Sequence, residues 1–171
     1  VESPLIHQKA EFKLIIDVAI CKVAEHAFIG PYQPLNIGLH KLAVGDRAVA
    51  IGYGEMRKSF RMTEMDYQPE LVVSVGSVTN IISDNITERQ NPTPGPNFEF
   101  NAKIPGKMSG GPILVGSGAL AKGVVSRSWQ DENSATGCLI APTMSLPLLE
   151  GKTLLNMMAN GNQGIGRIHG S

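Results

Sequence analysis

Ile104-Pro105-Gly106-Lys107-Met108-Ser109-Gly110-Gly111-Pro112 is the densest run of turn chemistry in the chain, and its reading decides the fold. Prolines and glycines at this frequency exclude a helix and leave a tight loop with a serine at its corner. Apolar runs flank it on both sides. Phe98-Glu99-Phe100 alternates like a strand on the way in. On the way out, Ile113-Leu114-Val115 and Lys122-Gly123-Val124-Val125-Ser126 enclose Gly116-Ser117-Gly118, the pattern of a β-hairpin. Gly137-Cys138-Leu139-Ile140-Ala141 reads as one more apolar strand, ending at Pro142.

Upstream, Ala43 to Gly54 reads as a turn feeding a short strand that stops at a glycine pair. Leu71 to Ile82 offers two short strands, with Gly76 as a bulge or bend between them. Asn91 to Asn97 should be an exposed loop. From Ser145 to Ala159 the spacing of Leu146, Leu149, Leu154, Met157 and Met158 predicts one terminal amphipathic helix, followed by a loose Gly-rich tail from Gly161.

Composition agrees with an all-β class. Aromatics make up only 5% of 171 residues while Gly reaches 19 and Pro 11, which suits a turn-rich β domain better than a helical bundle. Fifteen basic and fifteen acidic side chains give a formal charge of zero, so nothing electrostatic points to nucleic acid or to an anionic membrane as partner. Cys21 and Cys138 each sit inside an apolar run and read as buried free thiols rather than as a disulfide framework. The histidines and cysteines have no ligand-like spacing, so neither a metal nor another cofactor is expected. No apolar run is long enough to span a bilayer, and Val1-Glu2-Ser3-Pro4 does not read as a targeting segment, which leans the expected setting toward the cytoplasm.

Lys13-Leu14-Ile15-Ile16-Asp17-Val18-Ala19-Ile20-Cys21-Lys22-Val23 is β-branched and apolar except for one acid, and reads as a buried strand interrupted by a carboxylate. A serine that transfers acyl groups needs its hydroxyl on a tight turn whose backbone N–H groups converge on the developing oxyanion. Ser109 followed by two glycines meets that need, although Ser-Gly-Gly-Pro alone is also an ordinary tight turn.

Taken together, these blocks resemble the trypsin-like (chymotrypsin-fold) serine peptidase family, particularly its cysteine-poor bacterial members. Asp17 to Val23 is similar to the family's acid-bearing strand, and Gly45 to Tyr53 to the strand that closes its first barrel. Lys107 to Pro112 is similar to the nucleophile loop, and Gly123 to Ser126 to the strand lining the substrate cleft; the likeness covers roughly residues 13 to 155. It implies an all-β, chymotrypsin-like double β-barrel, the first barrel incomplete and the second complete, with a C-terminal helix. Residues 1–60 would end the first barrel, 61–145 form the second, and 146–171 hold the helix and tail.

The same likeness implies a serine endopeptidase. Ser109 would be the nucleophile and Asp17 the buried partner of a catalytic imidazole, with the backbone amides around Gly106, Lys107 and Ser109 forming the oxyanion hole. Ser126, Arg127 and Ser128 would pair with a peptide or protein substrate, and Lys103 and Gly137 would border the pocket for the side chain preceding the cleaved bond. The family's histidine precedes the acid at a distance greater than the 16 residues found before Asp17, so it is expected in a segment upstream of this chain. His7 lacks the small-residue turn that would mark it. An incomplete barrel would also expose strand edges able to pair with another chain. Lys107 stands where the family has a glycine, which leaves an inactive peptide-binding or scaffold module as the alternative.

Overall fold

The computed structural model describes residues 17–20, 35–54, 57–61, 64–68, 70–82, 96–129, 133–148, 151–160 and 168–169. Its strands are β1 (Ile37–Gly38), β2 (Arg47–Tyr53), β3 (Arg57–Arg61), β4 (Glu64–Gln68), β5 (Leu71–Ile82), β6 (Asn97–Phe100), β7 (Pro112–Val115), β8 (Leu120–Trp129), β9 (Ser134–Leu139) and β10 (Ile168–His169). A 3-10 helix spans Ala141–Ser145 and one short helix, α1, spans Leu154–Asn160. The class is all-β.

Each of β8, β7, β2, β5, β6 and β9 pairs antiparallel with the next, and β9 returns to β8. Six strands therefore close into an antiparallel barrel, which leaves the sheet with no edge along most of its length. β1 adds in parallel to β8, β10 adds in parallel to β1, and β3 with β4 forms a separate hairpin in a stretch where the sequence offers no strand signal.

Period-2 alternation builds the wall. In β2, Ala48 and Ala50 are fully buried while Val49, Ile51 and Tyr53 face outward. The interior is filled by Val78, Phe98, Phe100, Ile113, Val115, Val125 and Ala135, with Ala102, Ile104 and Met108 entering from the loop after β6. The Phe98 and Phe100 rings lie 5.8 Å apart at 39°, each worth about 1.5–3 kcal/mol of burial. Phe98 fits because Gly123 and Gly137 flank it. A Cβ on Gly123 would stand 2.6 Å from the ring, and one on Gly137 would stand 2.7 Å from it.

Several expectations change. Gly45 to Tyr53 does not close a first barrel: β2 pairs with β5 on one side and β7 on the other, inside the same barrel as Ser109. Alternation reveals which face of β2 is buried but not which strands adjoin it. The described residues hold this one closed barrel, and most of the segment assigned to a first barrel, including Cys21, lies outside them. Leu71 to Ile82 is a single strand, its bulge with β6 falling between Val78 and Asn80. Gly76 has another duty: a Cβ there would stand 2.5 Å from the Asn101 carbonyl oxygen, and this close approach lets Asn101 Oδ1 take the Ser77 N–H at 2.5 Å. Asn97 is no loop residue but opens β6, only 1% exposed.

The terminal helix is also shorter than its spacing predicts. Pro147 bridges to Thr153, the Leu148 N–H donates to the Lys152 carbonyl at 2.7 Å, and Gly151 takes φ +69°, so the chain reverses between the 3-10 helix and α1. Thr153 then caps α1, its Oγ1 accepting the Asn156 N–H at 3.1 Å. Of the tail, residues 161–167 lie outside the described residues, while Ile168 and His169 pair with Ile37 and Gly38.

Candidate active site

Gly110 has φ +87°, and the Gly111 N–H donates to the Met108 carbonyl at 3.0 Å. Met108 to Gly111 is thus a β-turn with glycine where the backbone must be left-handed, and Ser109 occupies its exposed corner. Two further bonds tie the turn to β8: the Gly110 N–H donates to the Val125 carbonyl at 2.7 Å, and the Val125 N–H to the Gly111 carbonyl at 2.8 Å. Met108, 2% exposed, anchors the loop in the core.

Ser126 connects the site. In the β8–β9 ladder Val125 pairs with Gly137 and Arg127 with Thr136, so Ser126 is an extra, bulged residue. A bulge turns a side chain out of the regular pleat and disrupts the ladder locally. The Ser109 hydroxyl donates to the Ser126 carbonyl at 3.3 Å, and the Ser126 hydroxyl donates to the Asp17 carboxylate. Ser109, Ser126 and Asp17 thereby form a chain across two segments distant in sequence.

Asp17 is exposed rather than buried, because it meets the barrel from outside, through the hydroxyl of one bulged residue. Residues 17–20 join no strand ladder. Behind Asp17 and Ser126 sits the Cys138 thiol, fully buried on β9. Burial pushes this thiol above its ordinary value of 9.0; the Asp17 backbone pulls it back, the Asp17 charge pushes it up, and the Ser126 hydroxyl pulls it down. A thiol held neutral in the fold stabilises it fully below its unfolded value, and that contribution drains as pH rises toward the folded value. Urea unfolding of the wild-type chain and of Cys138→Ala should therefore show a stability difference that is constant near neutrality and shrinks above about pH 9.

Lys107 adopts φ +72°, a left-handed conformation that costs a residue with a Cβ about 1–2 kcal/mol. Among the described residues, no acceptor takes the backbone N–H of Lys107 or of Ser109. Gly106 precedes them in the same turn. An open depression of about 330 Å³ adjoins the loop, lined by Ile51, Gly52, Tyr53, Leu71, Met108 and Pro112 together with Lys107, Ser109 and Gly111.

The remaining expected site residues divide. Arg127 is exposed and lies over the Trp129 ring, 5.4 Å from its centroid, while Ser128 is half-buried on the same strand. β7 pairs with β8 only as far as Val124, so Ser126 to Trp129 have β9 on one edge and no strand on the other among the described residues. On Gly137 the side where a Cβ would stand is filled by Ile113 and Phe98. Lys103 lines no part of the depression; its carbonyl takes the Ser74 hydroxyl at 2.7 Å and its side chain is exposed. His40 is exposed, His169 is in β10, and His7 and His26 lie outside the described residues. Sequence reasoning missed the bulge at Ser126, the contact of Cys138 with Asp17, and the part of Tyr53 and Leu71 in the depression. A ladder register and a cross-strand opening leave no local signal.

No protein-family profile and no curated protein matches the sequence. Among solved structures, the chain is similar to Rv3671c from M. tuberculosis H37Rv, in the inactive form of a serine-to-alanine mutant. The TM-score is 0.47 at 14% identity, over 80% of this chain and 58% of that one. This chain thus spans less than two thirds of its length.

Proposed function

We propose that this domain belongs to a serine endopeptidase, with Ser109 as nucleophile and Asp17 as the acid of its triad. The observation that carries the reading is the bulged Ser126, whose carbonyl meets the Ser109 hydroxyl while its own hydroxyl meets Asp17. The reading requires an imidazole between Asp17 and Ser109, from a histidine earlier in the polypeptide than Asp17. Ser109 Oγ would attack the peptide carbonyl as its proton passes to that imidazole. The C–N bond then breaks, the amine leaves with the proton, and water releases the acyl group from Ser109 by the reverse sequence. The N–H groups of Lys107 and Ser109, which no acceptor takes among the described residues, suit the developing oxyanion, each such donor being worth about 2.7–4 kcal/mol. The edge of β8 from Ser126 to Trp129, which no strand among the described residues occupies, suits a substrate added as a strand.

A second reading, a peptide-binding or scaffold module without catalysis, is favoured by Lys107, whose left-handed backbone would be unstrained only as glycine. One experiment separates the two. A fluorophosphonate probe on the intact protein should form an adduct that peptide mapping locates on Ser109 and that Ser109→Ala lacks. Intact protein that binds peptide yet stays unlabelled belongs to the second reading.

A further inference from the structure

We infer that the depression beside Ser109 receives an apolar side chain from the part of the substrate that departs when the bond breaks. Identifying that part as the departing one rests on the reading of Ser109 as nucleophile; the binding of an apolar residue there does not. The strand order β8-β7-β2-β5 sets Ser109, just ahead of β7, between two surfaces. On the β8 side lies the edge of Ser126 to Trp129, which no strand among the described residues occupies and where a substrate strand can pair. On the β2 and β5 side lies the depression. A peptide that pairs with β8 and has its carbonyl at Ser109 continues away from β8, over Tyr53 and Leu71.

The lining fixes the chemistry of the occupant. Tyr53 and Leu71 are direct partners across the β2–β5 ladder, and they are 53% and 59% exposed at the opening. Ile51, Pro112 and the buried Met108 complete an apolar wall. Among the described residues of the lining Lys107 is the one charged group and no carboxylate faces it, which disfavours a cationic side chain. The apolar surface does not stop at the depression: Val73 and Val75, both more than half exposed, continue the outer face of β5 from Leu71. An exposed stripe of this kind on a barrel wall, continuous with a nucleophile's surroundings, marks a contact surface for an apolar segment.

The test uses the wild-type chain with 13C-labelled methionine, leucine and isoleucine methyls, titrated with leucyl-leucinamide, aspartyl-aspartamide and lysyl-lysinamide as mimics of a departing amine. Leucyl-leucinamide should move the Met108, Leu71 and Ile51 methyls saturably, at a midpoint roughly tenfold below the other two. Leu71→Asp should raise that midpoint roughly tenfold; Tyr53→Ser is the second variant should the first not fold. Equal midpoints for the three dipeptides, or shifts confined to other methyls, overturn the inference. Because the readout is binding, its outcome separates from that of the probe experiment. A leucine preference in a chain that is never labelled at Ser109 sinks the peptidase reading alone, and labelling without the preference sinks the depression alone.

Discussion

Asp17→Asn should lower the rate of peptide hydrolysis, and of fluorophosphonate labelling at Ser109, by about 10⁴-fold while leaving the fold intact. The carboxylate would do two things for an imidazole between it and Ser109: accept the ring N–H that fixes the tautomer and stabilise the cation formed as Ser109 loses its proton. An amide of the same shape can present an N–H where an acceptor is needed, so the imidazole would turn the wrong nitrogen to the serine. A 10⁴-fold loss corresponds to about 5.5 kcal/mol of barrier. Stability should change far less. Asp17 is exposed, its side-chain partner among the described residues is the Ser126 hydroxyl, and an asparagine oxygen still accepts that bond. Labelling rates and urea unfolding of the same variant therefore separate a chemical role from a structural one. A labelling rate within tenfold of wild type, with unfolding unchanged, would show that Asp17 is only a surface acid held by Ser126.

How much of this was legible beforehand depends on whether the information is local. The turn at Ser109 is local: glycine is needed for φ +87° at Gly110, and the pair Gly110-Gly111 announces it. The face of β2 is local too, since Ala48 and Ala50 alternate with larger residues. Its neighbours are not, which is why the strand was assignable to a barrel wall but not to the right barrel. Ser126 illustrates the same limit, because nothing in Val124-Val125-Ser126-Arg127 distinguishes a bulged serine from one in a regular ladder. The helix expected from Ser145 fails for a reason present in the sequence: Pro147 and Gly151 interrupt the apolar spacing, and the periodicity outweighed them in the reading. Gly137 is a different case. A glycine on a strand beside a nucleophile suggests room for a ligand, whereas here the room is taken by the Phe98 ring.

Gly111→Ala should be the most destabilising single-methyl addition near the site, costing about 2–4 kcal/mol and removing labelling at Ser109 with it. Gly111 lacks a positive φ, so the cause is space and not backbone freedom. A Cβ there would collide with the Ile51 carbonyl oxygen and lie 3.0 Å from the Met108 carbonyl oxygen, both of them backbone atoms. Neither can swing aside as the end of a side chain could. Ile51 is held in β2 between Val73 and the strand pairs on either side, and the Met108 carbonyl receives the Gly111 N–H that closes the turn. Relief must come from lifting the loop off β2, which pulls on the Val125 bonds to Gly110 and Gly111 and on the buried Met108 side chain. Gly110→Ala is the informative comparison. Its Cβ meets nothing within 4 Å, but its φ of +87° is strained for any residue with a side chain, so its penalty should be about 1–2 kcal/mol and confined to the turn. Urea midpoints of the two variants decide the matter: if Gly111→Ala unfolds no earlier than Gly110→Ala, the loop does not press on β2, and the close packing that presents Ser109 at its corner is not what holds it there.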